Sequence, residues 1–130
     1  MDISDFFEAY QVGRRHFKDV DFNESDNFSQ QDLSNIIFEN CFLHSTDFSG
    51  SNLSNSQFLN CNIKCIDFRK ANLSNALIKN SVECSMFKGV IAANFKFEEN
   101  WCYGVVVGQA SFDEIFINED EGDFRSKTIQ

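Results

Sequence analysis

The chain carries one large apolar residue at every fifth position. Phe28, Leu33, Phe38, Leu43, Phe48, Leu53, Phe58, Ile63, Phe68, Leu73 and Ile78 follow one another without a break. Two positions before many of these centres stands a small residue: Cys41, Thr46, Ser51, Ser56, Cys61, Ala71 or Ala76. The positions between are mostly Asn, Asp, Ser, Gln or Lys. A helix repeats its apolar face every ~3.6 residues and a strand every second residue, so a period of five belongs to neither. It marks a solenoid, in which each short unit buries its apolar side only by stacking on its neighbours. The phrase Asp32-Leu33-Ser34-Asn35 returns as Asn52-Leu53-Ser54-Asn55 and Asn72-Leu73-Ser74-Asn75, twenty residues apart each time. Four five-residue sides therefore close one coil. In each side the centre and its small partner face inward and three positions face water. Copies one coil apart lie above each other at a strand spacing of about 4.8 Å. The centres alternate Phe with Leu or Ile, which predicts an aromatic ladder of Phe28, Phe48 and Phe68 and an aliphatic ladder of Leu33, Leu53 and Leu73.

Ala71-Asn72-Leu73-Ser74-Asn75 is a full unit of this pattern. It resembles the unit of the pentapeptide repeat protein family: Ala, then Asp or Asn, then Leu or Phe, then two variable residues. The resemblance covers roughly Arg15 to Glu119 and implies an all-β fold, a right-handed quadrilateral β-helix. Arg15 to Asp19 and Val20 to Glu24 are further units, with Ser25 as one extra residue before the long run. After Ile78 the phase slips between Ser81 and Cys84. The centres then continue as Phe87, Ala92, Phe97, Cys102, Val107, Phe112 and Ile117. Ala93-Asn94-Phe95 offers a competing register, so a bulge or shift is expected between residues 90 and 104. Some twenty units predict about five coils and a rod about 25 Å long.

The ends of a solenoid need covers, because a bare coil presents unpaired backbone groups. Ser4 is expected to cap a short α-helix running from about Asp5 to Val12, with Asp5 and Glu8 in its first turn and Gly13 just past its end. Phe6, Phe7 and Tyr10 would lie on the first coil. The expected division is a helical cap over 1–13, the repeat β-helix over 14–119 and an acidic, mobile tail over 120–130. The run Glu119-Asp120-Glu121-Gly122-Asp123 reads as a solvated guard against edge association.

Composition narrows the classes further. The 130 residues suit one core, and Pro is absent, as stacked strands that use their backbone N–H groups require. No apolar run approaches the ~18 residues of a membrane span, and no secretory leader pattern is present, so a cytoplasmic protein is expected. Five cysteines pose a choice between packing, metal and disulfide. Cys41 and Cys61 fall at small inward positions, Cys65 points outward, and Cys84 and Cys102 lie in the poorly phased half. No C-x-x-C pair or zinc-type spacing occurs, so they are read as free, packed thiols. His16 and His44 are far apart in the repeat, and His44 should point outward with no paired carboxylate. No catalytic, cofactor-binding or metal-binding residue is assigned, and a non-enzymatic role is expected.

A net charge of −9 suggests a basic partner surface. Some pentapeptide repeat proteins imitate duplex DNA and bind DNA gyrase in its place, and the resemblance carries that reading here as the alternative. Of the twenty acidic residues, eight lie within 1–32 and nine within 83–130; the stretch 33–82 has only Glu39, Asp47 and Asp67, against Lys64, Arg69, Lys70 and Lys79. The regular coils are thus nearly neutral. The favoured reading is a rigid interaction module for another protein, with no direct nucleic-acid binding. Outward Ile37, Leu59 and Leu77 on one side and Phe42 around the corner are the candidate contact residues. Outward Met86, Ile91, Trp101, Val106 and Phe116 mark the last coils as a further interface, one through which a homo-oligomer could form.

Overall fold

The structure, a computed structural model, describes residues 1–113. Each pentapeptide makes one wall of a square coil. The first wall is a parallel sheet of five three-residue strands in sequential order: β1 (His16–Lys18), β2 (Ile37–Glu39), β3 (Gln57–Leu59), β4 (Leu77–Lys79) and β5 (Lys96–Glu98). Its inward residues stack as Phe17, Phe38, Phe58, Ile78 and Phe97, so successive turns take 21, 20, 20 and 19 residues. Single parallel bridges such as Asp21 to Phe42, Asp47 to Asp67 and Asn52 to Asn72 hold the other three walls.

The residue just before each centre explains why the third and fourth walls hold single bridges over the first three coils where the first wall is a continuous sheet. On the third and fourth walls it is Asn27, Asp32, Asp47, Asn52, Asp67 or Asn72, and its side-chain oxygen takes the amide two residues on, as in Asp47 to Ser49 at 2.8 Å and Asn72 to Ser74 at 3.0 Å. Asn62 does the same on the second wall. Such Asx turns bend the chain and compete with strand pairing. His16, Ile37, Gln57, Leu77 and Lys96 hold that place on the first wall, where the ladder continues.

Corners require a left-handed residue. Asn40, Asn60 and Asn80 form one such column with φ of 52° to 54°, and Asn35, Asn55, Asn75 and Asn94 form another with φ of 58° to 65°. Asn tolerates this region better than most residues, which accounts for its abundance at the end of each unit. Gly50 serves the same purpose at φ 65°, where an added Cβ would lie 2.1 Å from Gln30 Nε2.

All eleven centres of the unbroken run are fully buried. Phe28 and Phe48 stack face to face at 4.4 Å, and Phe68 and Phe87 at 5.2 Å. Facing ladders meet edge to face, as in Phe48 with Phe58 at 5.8 Å. Such ring pairs contribute about 0.5–1.5 kcal/mol each beyond their area. At one end α1 (Ile3–Gln11) seats Phe6 against Phe17, Phe22 and Phe28. At the other, Phe112 closes on Phe87, Phe95 and Phe97.

Several expectations need correction. Asp2, not Ser4, caps α1, accepting from the Ser4 amide at 2.8 Å and from its hydroxyl. The extra residue of the first turn lies between Phe22 and Ser25; Ser25 itself is an ordinary left-handed corner bonded to Ser45 O. Phe97 keeps the phase, and Phe95 is buried as an oversized occupant of the small position. The coil stops at Cys102, giving about four turns and not five. Beyond it β6 (Asn100–Cys102) and β7 (Val105–Val107) form an antiparallel hairpin, followed by the single turn α2 (Gln109–Ser111). Val107 and Phe112 are buried by that cap and not by a further coil. Gln109 Oε1 accepts from the Phe97 amide at 2.8 Å, pairing a donor on the last strand of the sheet. Ile117, Phe116 and the acidic run at 119–123 lie outside the described residues.

Candidate functional site

The corner between the first and second walls forms a groove along the solenoid axis. Asn40, Asn60 and Asn80 line it with Asp19, Asp21, Phe42 and Val82. The Asn40 amide donates to Asp19 Oδ1 at 2.6 Å, so the polar bank is partly tied to itself. The four sequence candidates border this region without forming one patch. Ile37 and Leu77 share a column with Gln57 between them, and Leu59 sits between Glu39 and Lys79 in the next. All three are half-buried, whereas Phe42 is 36% exposed on the far bank.

Stronger apolar exposure lies further along. Phe42, Asn62, Val82 and Trp101 stack in one outward column, and Trp101 pairs with Val106 of the terminal hairpin. Trp101 is 47% exposed, Tyr103 53% and Val106 55%. Ile91, outward as expected, belongs to the fourth wall. The outward periodicity of this end was readable in the sequence; its closure into a hairpin was not.

A second cluster sits where the coil loses a residue. Stepping by fives from Ile78 lands on Glu83, which stacks under Ile63 at a core centre and is fully buried. The corner residue that should follow is missing, since Asp67 pairs with Met86. Glu83 Oε2 accepts from the Ser85 amide at 3.1 Å, while Oε1 has no partner. Burial pushes its carboxyl up to about 8, and the Ser85 amide opposes this only in part. Cys84 and Cys102 are joined as a disulfide with Cα atoms 5.5 Å apart, which corrects the expectation of free thiols there. Cys41, Cys61 and Cys65 are free. One Glu83 oxygen and the two sulfurs lie within 4.8 Å of one another. Sulfurs bonded to each other are not metal ligands, so this oxidised cluster is not a metal cage. In the neighbouring column the Cys61 thiol is pushed up by Cys41 and by burial, which keeps it protonated and unreactive.

Both histidines have acidic partners: His16 Nε2 lies 2.8 Å from Glu39, and His44 Nδ1 lies 3.1 Å from Glu24. The expectation that His44 lacks a carboxylate is therefore wrong, because the first turn's longer wall brings Glu24 above it. Ser45 Oγ meets the same Nδ1 at 2.9 Å. A relay needs serine and carboxylate on opposite ring nitrogens, so Ser45, His44 and Glu24 are not a triad. Acidic groups form no continuous strip among the described residues. Asp47 and Asp67 stack, but the Arg69 guanidinium, 2.8 Å away, holds the Asp67 carboxyl below its ordinary range. No helix among the described residues is long and apolar enough to cross a membrane.

Comparison with known proteins agrees with this architecture. A family profile described as a pentapeptide repeat region matches residues 11–87. Among solved structures the chain is similar to alr5209, a pentapeptide repeat protein from Nostoc Pcc 7120, at 20% identity and a TM-score of 0.55, covering 76% of this chain and 78% of that one. It is also similar to QnrB1, a plasmid-mediated fluoroquinolone resistance protein, at 20% identity and a TM-score of 0.48, covering 72% of this chain and 44% of that one. No protein with a curated description matches the chain in sequence. With a square coil, a buried centre in nearly every unit and a family match over more than half its length, the chain belongs to the pentapeptide repeat family.

Proposed function

We propose that the protein is a non-catalytic interaction module that presents side chains to another protein from a stiff coil. The observation that carries this reading is the axial groove between the first two walls, whose far bank runs on through Val82 and Trp101 to the exposed hairpin. Val82, Trp101 and the hairpin present exposed aromatic and aliphatic side chains side by side, the mark of a contact surface. Ile37, Leu59 and Leu77 on the first wall and Phe42 on the far bank would add separate apolar contacts around it. Affinity capture from the native cell should retain one set of partners on the natural protein and lose it with Trp101→Asp or Leu59→Asp. Unchanged partners for both variants would reject the surface.

A second reading, a DNA mimic that binds DNA gyrase or another topoisomerase, is supported by the net charge of −9. The near-neutral middle coils weigh against it. Purified protein at tens of micromolar should then inhibit supercoiling or relieve quinolone inhibition; failure of both removes this reading and leaves the first standing.

A further inference from the structure

Glu83 has no business at a core centre on packing grounds. Its column offers Phe22, Leu43 and Ile63 on the preceding coils, all buried hydrocarbon. A carboxyl there is desolvated and leaves Oε1 unpaired, a cost that Leu or Ile would avoid. What distinguishes this rung is its neighbour. The Cys84–Cys102 disulfide lies within 4.8 Å of a Glu83 oxygen and fastens the terminal hairpin to the fourth coil. Its two cysteines are unequally exposed: Cys84 is half-buried at the shortened corner, while Cys102 is 1% exposed.

We propose that Cys84 and Cys102 form a reversible thiol–disulfide pair that exchanges with a low-molecular-weight thiol, and that the Glu83 carboxyl donates the proton to the departing Cys102 sulfur. The thiolate of the small thiol attacks Cys84 Sγ, on the more exposed of the two cysteines, and forms a mixed disulfide with it. The Cys84–Cys102 bond breaks, and its electron pair goes to Cys102 Sγ. That sulfur, freed from its tether, swings to Glu83 and takes the carboxyl proton. A second thiolate then attacks the sulfur of the small thiol in the mixed disulfide and expels Cys84 as a thiolate, which takes a proton from solvent. Glu83 also regains its proton from solvent. Two equivalents of thiol are oxidised to their disulfide, and the protein disulfide is reduced to two thiols.

The electrostatics suit this assignment. A thiolate expelled into a buried apolar site is a poor leaving group, and exchange slows as the leaving thiol becomes more basic. A donor that still holds its proton at neutral pH removes that barrier, as matched general acids do. Burial gives Glu83 this property. Only desolvation and the Ser85 amide act on its carboxyl, with Ile63 and Cys102 on the rungs above and below and Ser85 beside it.

The test is the rate of native-state reduction by dithiothreitol, quenched with an alkylating agent in denaturant and read by mass. Three labels on the oxidised chain should become five. Glu83→Gln should slow this reaction at least about tenfold at pH 7. For the natural protein, the rate per thiolate of reagent should fall as pH rises through 8, and the variant should show no such fall. Equal rates in the two proteins would overturn the proposal. So would a natural-protein rate per thiolate that stays flat through pH 8, a measurement that does not depend on the variant folding. Reduction that proceeds only as fast as the whole chain unfolds would overturn it too.

Discussion

The two coils that run from Phe38 to Leu73 take 20 residues each and the coil that begins at Ile78 takes 19, and the two regions could hardly be more unlike. The first repeats without a flaw: its corners are left-handed, its centres are Phe, Leu or Ile, and its cysteines are free thiols, Cys41 and Cys61 packed inside and Cys65 exposed at a corner. The second drops a corner residue after Glu83. There the core admits a carboxyl, a disulfide replaces the corner, and the apolar row surfaces through Val82 and Trp101. The sheet wall nevertheless passes through unbroken, with Ile78 on Phe97. A local deletion is absorbed at one corner while the other walls stay in phase, which frees that corner for chemistry.

Substitutions can test how deep this contrast goes. The largest effect is expected in the regular region, where Phe48→Ala should cost about 3–5 kcal/mol in denaturant unfolding, because its ring is gripped by Phe28, Phe58 and Phe68. At the interruption, Cys84→Ser with Cys102→Ser should cost about 3 kcal/mol for a link of sequence separation 18. The lost hydrogen-exchange protection should be confined to the terminal hairpin and its contacts. Protection lost evenly along the rod would make the two regions one cooperative unit.

Glu83 should bring a pH dependence with it. Below its ordinary value of 4.5 both folded and unfolded chains hold the proton. Between 4.5 and about 8 the unfolded chain releases it while the folded one keeps it. Its contribution to stability therefore falls as pH rises through that window and levels off above it. Glu83→Gln should remove this slope and gain about 3 kcal/mol at pH 7, with the gain vanishing near pH 4. Parallel stability curves for the two proteins would show that the buried carboxyl does not titrate with folding. The smallest effect is expected at a corner: Asn55→Ala, at φ 60°, should cost about 1 kcal/mol, since Ala enters the left-handed region less readily. Thermal unfolding of the pair Asn55→Ala and Asn55→Gly separates backbone conformation from side-chain contacts, with Gly expected to restore most of the loss.

The ladders and their alternation were legible because a buried centre must be apolar and a period of five has few solutions. The residue before each centre separates the flat first wall, with Ile37, Gln57 and Leu77, from the turning third and fourth walls, with Asp47, Asn52, Asp67 and Asn72, but Phe42 and Val82 on the second wall follow no such rule, so the sheet wall was not legible from it alone. Glu83 was hidden by the rule that found the rest, since a search for apolar centres discards a carboxyl even when the step of five lands on it. The disulfide was hidden because Cys84 and Cys102, 18 residues apart, hold different places in their units, one just after a centre and the other stacked on a centre. Ile37, Leu59 and Leu77 were placed on the right wall, but the intervening Gln57, Glu39 and Lys79 depend on register and divide them.

Turns of 21, 20, 20 and 19 residues stacked in one sheet make the wall, and not the residue, the unit of length in this molecule. Such a chain can gain or lose a residue at a corner without moving any face of the rod by more than that corner. A loop could be grafted at the exposed Asn23 while the rows of side chains keep their spacing, so the fold is a ruler whose markings survive editing between them.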